Sequence, residues 1–195
     1  RAAWDIFQDM ETGAPMNRLL QGDVGSGKTI VAILAALQTA GSGLQTALLA
    51  PTEILAKQHY DTFRTVLGSG EGIALLTRTF ANTNGKEISK LDLSKQIESG
   101  NVKICIGTHA LLQGNTEFNK LGLVIIDEQH KFGVGQRNFL VGSNDKASQK
   151  KTKKSKNTLS KHIRPHLLSM SATPIPRTLA MSMYADLSVS TLNHV

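Results

Sequence analysis

A single cysteine, Cys105, stands in the 195-residue sequence. One thiol makes no intrachain disulfide, so a reducing compartment is the default expectation. It also argues against zinc, because His59 and His130 lack the cysteine and histidine partners that a metal site needs. Aromatic residues are scarce, at 5%. Trp4, Tyr60, Phe63 and Tyr184 fall in helical or core contexts, without the interleaving with basic residues that a base-stacking surface requires. Apolar runs all stop well short of the roughly 18 residues of a membrane-spanning helix, so the reading is a soluble domain with no membrane partner. No internal repeat is present. There is no methionine at position 1 either: the chain begins at Arg1, and Ala2, Trp4, Ile6 and Phe7 already look like the body of a helix. This reads as a piece of a longer protein, so the lack of a leader says nothing about targeting. Cytoplasm is the expected location, with an organelle left open.

What is present is enough apolar material, 40%, for one ordinary globular core spanning residues 1–195. The net charge of +7 suggests a polyanionic partner, but it is unevenly placed. Eight positive charges lie between Lys146 and Arg164, with no Asp or Glu among them, so the rest of the chain is close to neutral. The stretch 143–164 is rich in Lys, Ser, Asn, Gln and Thr and has little to bury. It reads as a flexible insertion, either a DNA-binding arm or a tolerated surface loop.

Four runs, Thr46–Ala50, Val102–Ile106, Leu123–Ile126 and His166–Met170, are nearly continuous in apolar residues and suit strands buried on both faces. Arg18–Gln21 and Ile73–Leu76 are shorter candidates. Between them come segments of helical spacing, such as Ile30, Val31, Ile33, Leu34 and Leu37, then Ile54, Leu55, Tyr60, Phe63, Val66 and Leu67. This alternation predicts a three-layer α/β domain with a mainly parallel sheet, whose ligands sit at the carboxyl ends of the strands.

Gly22-Asp23-Val24-Gly25-Ser26-Gly27-Lys28-Thr29 has the spacing of a phosphate-binding loop, and it lies between a predicted strand and a helix beginning at Lys28. Its glycines let successive N–H groups turn inward on phosphate oxygens, helped by the positive end of the helix. Lys28 would reach the β and γ phosphates of ATP, and the Thr29 hydroxyl would ligate Mg2+. By itself the loop fits a kinase, a transporter ATPase, a GTPase or a helicase. Asp127 and Glu128 follow directly on the apolar run Leu123–Ile126. A parallel sheet would carry both carboxylates toward the phosphates, Asp127 to hold magnesium and Glu128 to deprotonate the attacking water. Gln129 and His130 come next, beside the expected γ-phosphate.

Asp127-Glu128-Gln129-His130 followed by Lys131-Phe132-Gly133-Val134-Gly135-Gln136-Arg137 resembles the RecG family of superfamily-two helicases. Similar to that family, too, are Met16 to Thr29, Ala50-Pro51-Thr52-Glu53-Ile54-Leu55-Ala56-Lys57-Gln58-His59, Gly107-Thr108-His109-Ala110-Leu111 and Ser171-Ala172-Thr173-Pro174-Ile175-Pro176-Arg177-Thr178-Leu179-Ala180. The stretch 77–91 and the lysine-rich insertion fall outside the resemblance. Arg78, Lys131 and Ser171 depart from the residues usual in the family. Gln129 favours RecG over the transcription-repair coupling factor and the primosomal helicase, which usually have Glu there and remain the alternatives.

The resemblance implies the first RecA-like lobe of an ATP-dependent DNA helicase acting on branched or forked DNA without sequence preference, in recombination and repair. It implies that Thr52, Thr108 and His109 grip the DNA backbone, although Thr52 and Thr108 equally suit the caps of the helices that follow. Ser171 and Thr173 would couple phosphate state to lobe movement, their hydroxyls directed toward Asp127 or Glu128. A second RecA-like lobe would supply charge-stabilising arginines, and it and the wedge domain are expected outside this chain. Two rivals of other classes are a free-standing P-loop kinase and a basic nucleic-acid-binding module.

Overall fold

Each of the apolar runs forms a strand, displaced by no more than two or three residues from its sequence-based bounds. The computed structural model describes residues 1–68, 72–108, 111, 116–128, 164–173 and 187–192. The elements in chain order are α1 (Ala2–Glu11), β1 (Asn17–Gly22), α2 (Lys28–Gly41), β2 (Gln45–Leu49), α3 (Glu53–Leu67), β3 (Ile73–Leu76), β4 (Ala81–Thr83), β5 (Lys86–Glu87), α4 (Lys90–Glu98), β6 (Ile104–Gly107), β7 (Leu121–Asp127), β8 (His166–Ser171) and β9 (Ser188–Leu192). The strands form one sheet in the order β5-β4-β3-β6-β2-β7-β8-β1-β9. From β3 to β9 every pairing is parallel, while β4 and β5 extend the sheet antiparallel at one edge. The mainly parallel three-layer α/β architecture expected from the sequence is thus the one observed.

Why the central strands read as unbroken apolar runs is plain from the two cores. Successive residues of a strand point to opposite faces. Leu48, Ile104, Ile106, Leu123 and Ile125 join Ala32, Ile33, Ala36, Ala56 and Phe63 in the core beneath α1, α2 and α3. Ala47, Leu49, Cys105, Val124 and Ile126 face the other way, against Leu93 and Ile97 of α4. Cys105 is fully buried, and desolvation pushes its thiol pKa far up, so it is an inert core residue.

Helix α2 is apolar on more than one side. Its buried face carries Ala32, Ala35 and Ala36, which allow close approach to the sheet, while Ile30, Leu34 and Leu37 are partly exposed. Trp4 lies in helix α1, one of the contexts expected for it, and is 64% exposed because Ala2 and Ile6 take the buried face. Tyr60 and Phe63 are buried as expected. Arg18 ties three elements together, with Nε donating to Asp9 Oδ2 of α1 at 2.8 Å and an Nη donating to Ser190 Oγ of β9 at 2.7 Å.

Four elements, β4, β5, α4 and β9, were not read from the sequence. The β4–β5 hairpin turns on Asn84-Gly85, with φ of 50° and 81°. Left-handed conformations at both central residues of a two-residue loop are those an Asn-Gly pair favours, matching the twist of the flanking strands. Helix α4 starts at Ser89, whose Oγ accepts from Asp92 N and donates to the Asp92 carboxylate, a reciprocal cap. Strand β9 is short and largely polar, and is recognisable only by its pairing with β1.

Gly107 ends β6 where β3 passes so close that a Cβ on it would lie 2.2 Å from the Leu76 carbonyl oxygen. Backbone cannot yield as a flexible side chain does. Gly107→Ala is expected to lower stability by about 1–3 kcal/mol or more, the range for forced overpacking. Chemical denaturation checks this, and an unchanged midpoint would contradict the close approach.

Candidate nucleotide site

The functional groups meet at the C-terminal edge of the parallel strands. β1 and β7 both pair with β8, so Gly22 and Asp127 emerge on either side of Ser171, with Gln21 in register with Ser171 and Asp127 with Met170. Two strand spacings place the loop and the acidic pair about 10 Å apart, the span of a triphosphate with its metal. Sequence reading placed these residues at strand ends, and the strand order brings them together.

The loop from Gly22 to Thr29 is built on glycine for two different reasons. Gly25 and Gly27 have φ of 83° and 92°, a left-handed conformation costly for other residues, and open space where a Cβ would stand. Gly22 needs its small size: a Cβ there would lie 2.5 Å from Ser26 Oγ and 2.9 Å from Leu192 Cβ. Asp23 and Val24 are exposed, and the Asp23 carbonyl accepts from Ser26 N at 3.1 Å. Ser26 Oγ is buried and has no hydrogen-bond partner among the described residues. Gly27 is the N-cap of α2 and, having no side chain, supplies no cap hydrogen bond to the first N–H groups of that helix. An anion is the natural partner for such an end.

Lys28 opens α2 and folds back over the loop, its ammonium donating to the Gly22 carbonyl at 2.5 Å and the Asp23 carbonyl at 2.8 Å. Both acceptors are neutral, and no carboxylate lies within salt-bridge distance among the described residues. Thr29, one residue on, is half-buried in the first turn of α2. Open space at Gly25 and Gly27, a Ser26 hydroxyl without a partner among the described residues and a lysine resting on two carbonyls fit a polyphosphate. The Thr29 hydroxyl and the Asp127 carboxylate are hard oxygen donors of the kind magnesium takes.

Asp127 ends β7 and is mostly covered. Its Oδ2 lies 2.7 Å from His59 Nε2, the two side chains being 14% and 12% exposed. The sequence marks His59 only as lacking the partners of a metal site, and does not point to this hydrogen bond. The residues are 68 positions apart, and nothing in the local pattern of either one announces the pair. Among the described residues no group of three or more His, Cys, Asp or Glu side chains forms a metal cluster.

Glu128 has φ of 54°, an uncommon left-handed conformation for a residue with a Cβ. Its own N–H donates to the Met170 carbonyl of β8 at 3.0 Å, which fixes the turn, and its Oε1 accepts from Ala172 N at 3.4 Å. Strain of this kind persists only where surrounding bonds enforce it. Here it swings the carboxylate toward the segment after β8. That segment corrects one expectation: the Ser171 hydroxyl bonds Thr173, at 3.1 Å to both its carbonyl oxygen and its Oγ1, and not Asp127 or Glu128. Contact with Glu128 runs instead through the Ala172 backbone. Local side-chain-to-backbone bonding by Ser and Thr after a strand explains the difference.

Thr52 is the N-cap of α3, its side chain accepting from Leu55 N at 3.3 Å, and it is exposed. Thr108 is 7% exposed, and its carbonyl accepts from Leu111 N. β2, β6 and β3 are adjacent and parallel, so the loops after Leu49, Gly107 and Leu76 share the same sheet edge. Glu53 Oε1 accepts from Thr79 N at 3.1 Å, and hydrogen bonding to Thr79 lowers the Glu53 pKa. His109, Gln129, His130, Tyr184 and nearly all of the lysine-rich stretch lie outside the described residues.

A parallel sheet with a phosphate loop and a carboxylate pair at one edge is the site of a RecA-like P-loop NTPase lobe. Residues 3–182 match the model of the DEAD/DEAH box helicase family, and the chain belongs to that family. Over its whole length it is similar to the ATP-dependent DNA helicase RecG of Aquifex aeolicus (strain VF5), at 47% identity over 196 residues covering 22% of that relative. RecG of Escherichia coli O157:H7 is also 47% identical, over 197 residues, with 26% of the relative covered. The chain therefore spans about a quarter of the length of these relatives. A solved structure of RecG bound to a three-way DNA junction matches with a TM-score of 0.74 and 39% identity, over 100% of this chain and 23% of that one. The Pyrococcus furiosus Hef helicase domain, at 18% identity and a TM-score of 0.61, shares the fold.

Proposed function

We propose that this chain is the ATP-binding motor lobe of a RecG-type DNA helicase, one that couples ATP hydrolysis to the remodelling or unwinding of branched DNA in recombination and repair. The observation that carries this reading is the placement of the phosphate loop and the Asp127-Glu128 pair on either side of β8 at one sheet edge. The likeness to RecG along the whole chain supports the choice of DNA over other substrates of the fold.

In this reading the backbone of Gly22 to Thr29 binds the phosphates and Lys28 moves from its two carbonyls to the terminal phosphates. Thr29 and Asp127 hold magnesium, which when bound neutralises charge on the β and γ phosphates. Glu128 orients the attacking water and takes its proton. Gln129 and His130, with Ser171 and Thr173, pass the phosphate state to the neighbouring lobe, the Ala172 N–H sensing the Glu128 carboxylate directly. Thr52, Thr108 and His109 contact the DNA backbone, Thr52 being the most accessible of the two described. A second RecA-like lobe of the same protein supplies the arginines that stabilise transition-state charge. No helix among the described residues is long and apolar enough to cross a membrane, and a cytoplasmic place suits a protein that acts on DNA.

The test is hydrolysis by the full-length protein with and without forked DNA. Stimulation by the fork is expected there, and the isolated chain should neither respond nor separate strands, because one lobe has no partner to close against. Unstimulated turnover in the full-length protein would overturn the assignment to DNA. Unwinding by the isolated chain would overturn the need for a second lobe.

A further inference from the structure

The hydrogen bond between His59 and Asp127 joins two parts of the molecule that the nucleotide site does not by itself connect. Asp127 leaves β7 at the centre of the sheet, whereas His59 sits in the second turn of α3, the helix that follows the Thr52 loop. Thr52 and His59 are seven residues apart, so they lie on nearly the same face of the helix line, about 10 Å along its axis. A carboxylate offers only acceptors, so the imidazole contributes the proton and Nε2–H donates to Oδ2. Among the described residues no other hydrogen bond reaches the Asp127 side chain, which leaves Oδ1 for the metal or a metal-bound water.

We propose that His59 is a positioning residue for Asp127: it locks the carboxylate so that one oxygen faces the nucleotide, and it ties α3 and its Thr52 loop to the metal site. This rests on the reading of Asp127 as a magnesium ligand. The physical basis is the general one that outer partners fix the orientation of metal-binding side chains, and that losing them costs about 10–100-fold in metal affinity or activity. An unheld aspartate at the end of a strand samples several rotamers, and only some present an oxygen to the metal. Burial of the pair sharpens the effect, since with exposures of 12% and 14% little water is at hand to replace the lost donor. The second consequence is mechanical: a shift of α3 on gripping DNA would move His59, and with it the carboxylate.

His59→Phe keeps the ring volume and removes the donor, whereas His59→Gln returns an N–H near the position of Nε2. In the full-length protein, the readout is the magnesium concentration at which a fluorescent ATP analogue binds half-maximally, followed without DNA and without turnover. H59F is expected to raise that concentration about 10-fold or more, and H59Q to recover most of the loss. Asp127→Asn is measured alongside. A midpoint unchanged in H59F but raised in D127N would overturn the role of His59 and leave the metal ligand standing. A midpoint unchanged in D127N would overturn both. Should H59F fail to fold, His59→Ala against H59Q makes the same comparison, and equal midpoints in those two variants would reject the positioning role.

Discussion

Glu128→Gln in the full-length protein should bind magnesium-ATP within about two-fold of the parent and hydrolyse it about 10²–10⁴-fold more slowly, the range that a positioned general base contributes. The substitution is nearly isosteric. Gln keeps a carbonyl oxygen to accept from the Ala172 N–H, and it meets much the same backbone cost at φ 54°. What it loses is the ability to take a proton from water. Because that proton moves only in the transition state, the loss falls on turnover, while ground-state binding through Lys28, the loop N–H groups and the metal is retained. Steady-state hydrolysis and equilibrium nucleotide binding, measured on the same preparation, separate the two. Near-normal turnover would remove Glu128 from the catalytic role, and a large loss of affinity would make it a binding residue.

The sheet and the phosphate loop were legible in the sequence because each is written locally. Strands buried on both faces demand continuous apolar runs, and the loop demands Gly25 and Gly27 where φ is positive. Ile73–Leu76 was even placed at its observed bounds. The β4–β5 hairpin was legible too, in Asn84-Gly85, but it went unread because the flanking strands have three residues and two. Strand β9 was a different case: its Ser, Val, Ser, Thr and Leu gain their conformation from pairing with β1, which no local pattern records. The same holds within the site. Spacing identifies Asp127 and Glu128, but their partners, His59 across the sheet edge and Ala172 after β8, are set by strand order.

The central claim is that the loop from Gly22 to Thr29 binds the phosphates of ATP, and Lys28 is its most exacting test. Its ammonium now rests on the Gly22 and Asp23 carbonyls, acceptors that phosphate oxygens outmatch because charge-assisted bonds are about twice as strong as those to neutral groups. Removing the ammonium leaves the loop backbone largely as it is, since the positive φ at Gly25 and Gly27 does not depend on it. The decisive measurement is calorimetric titration of magnesium-ATP into the parent protein and into Lys28→Ala, with thermal unfolding of both to show that the variant is folded. Affinity is expected to fall at least 10-fold, a loss of about 1.4 kcal/mol or more, with stability nearly unchanged. Equal affinity in the two folded proteins would contradict the account and place the nucleotide elsewhere.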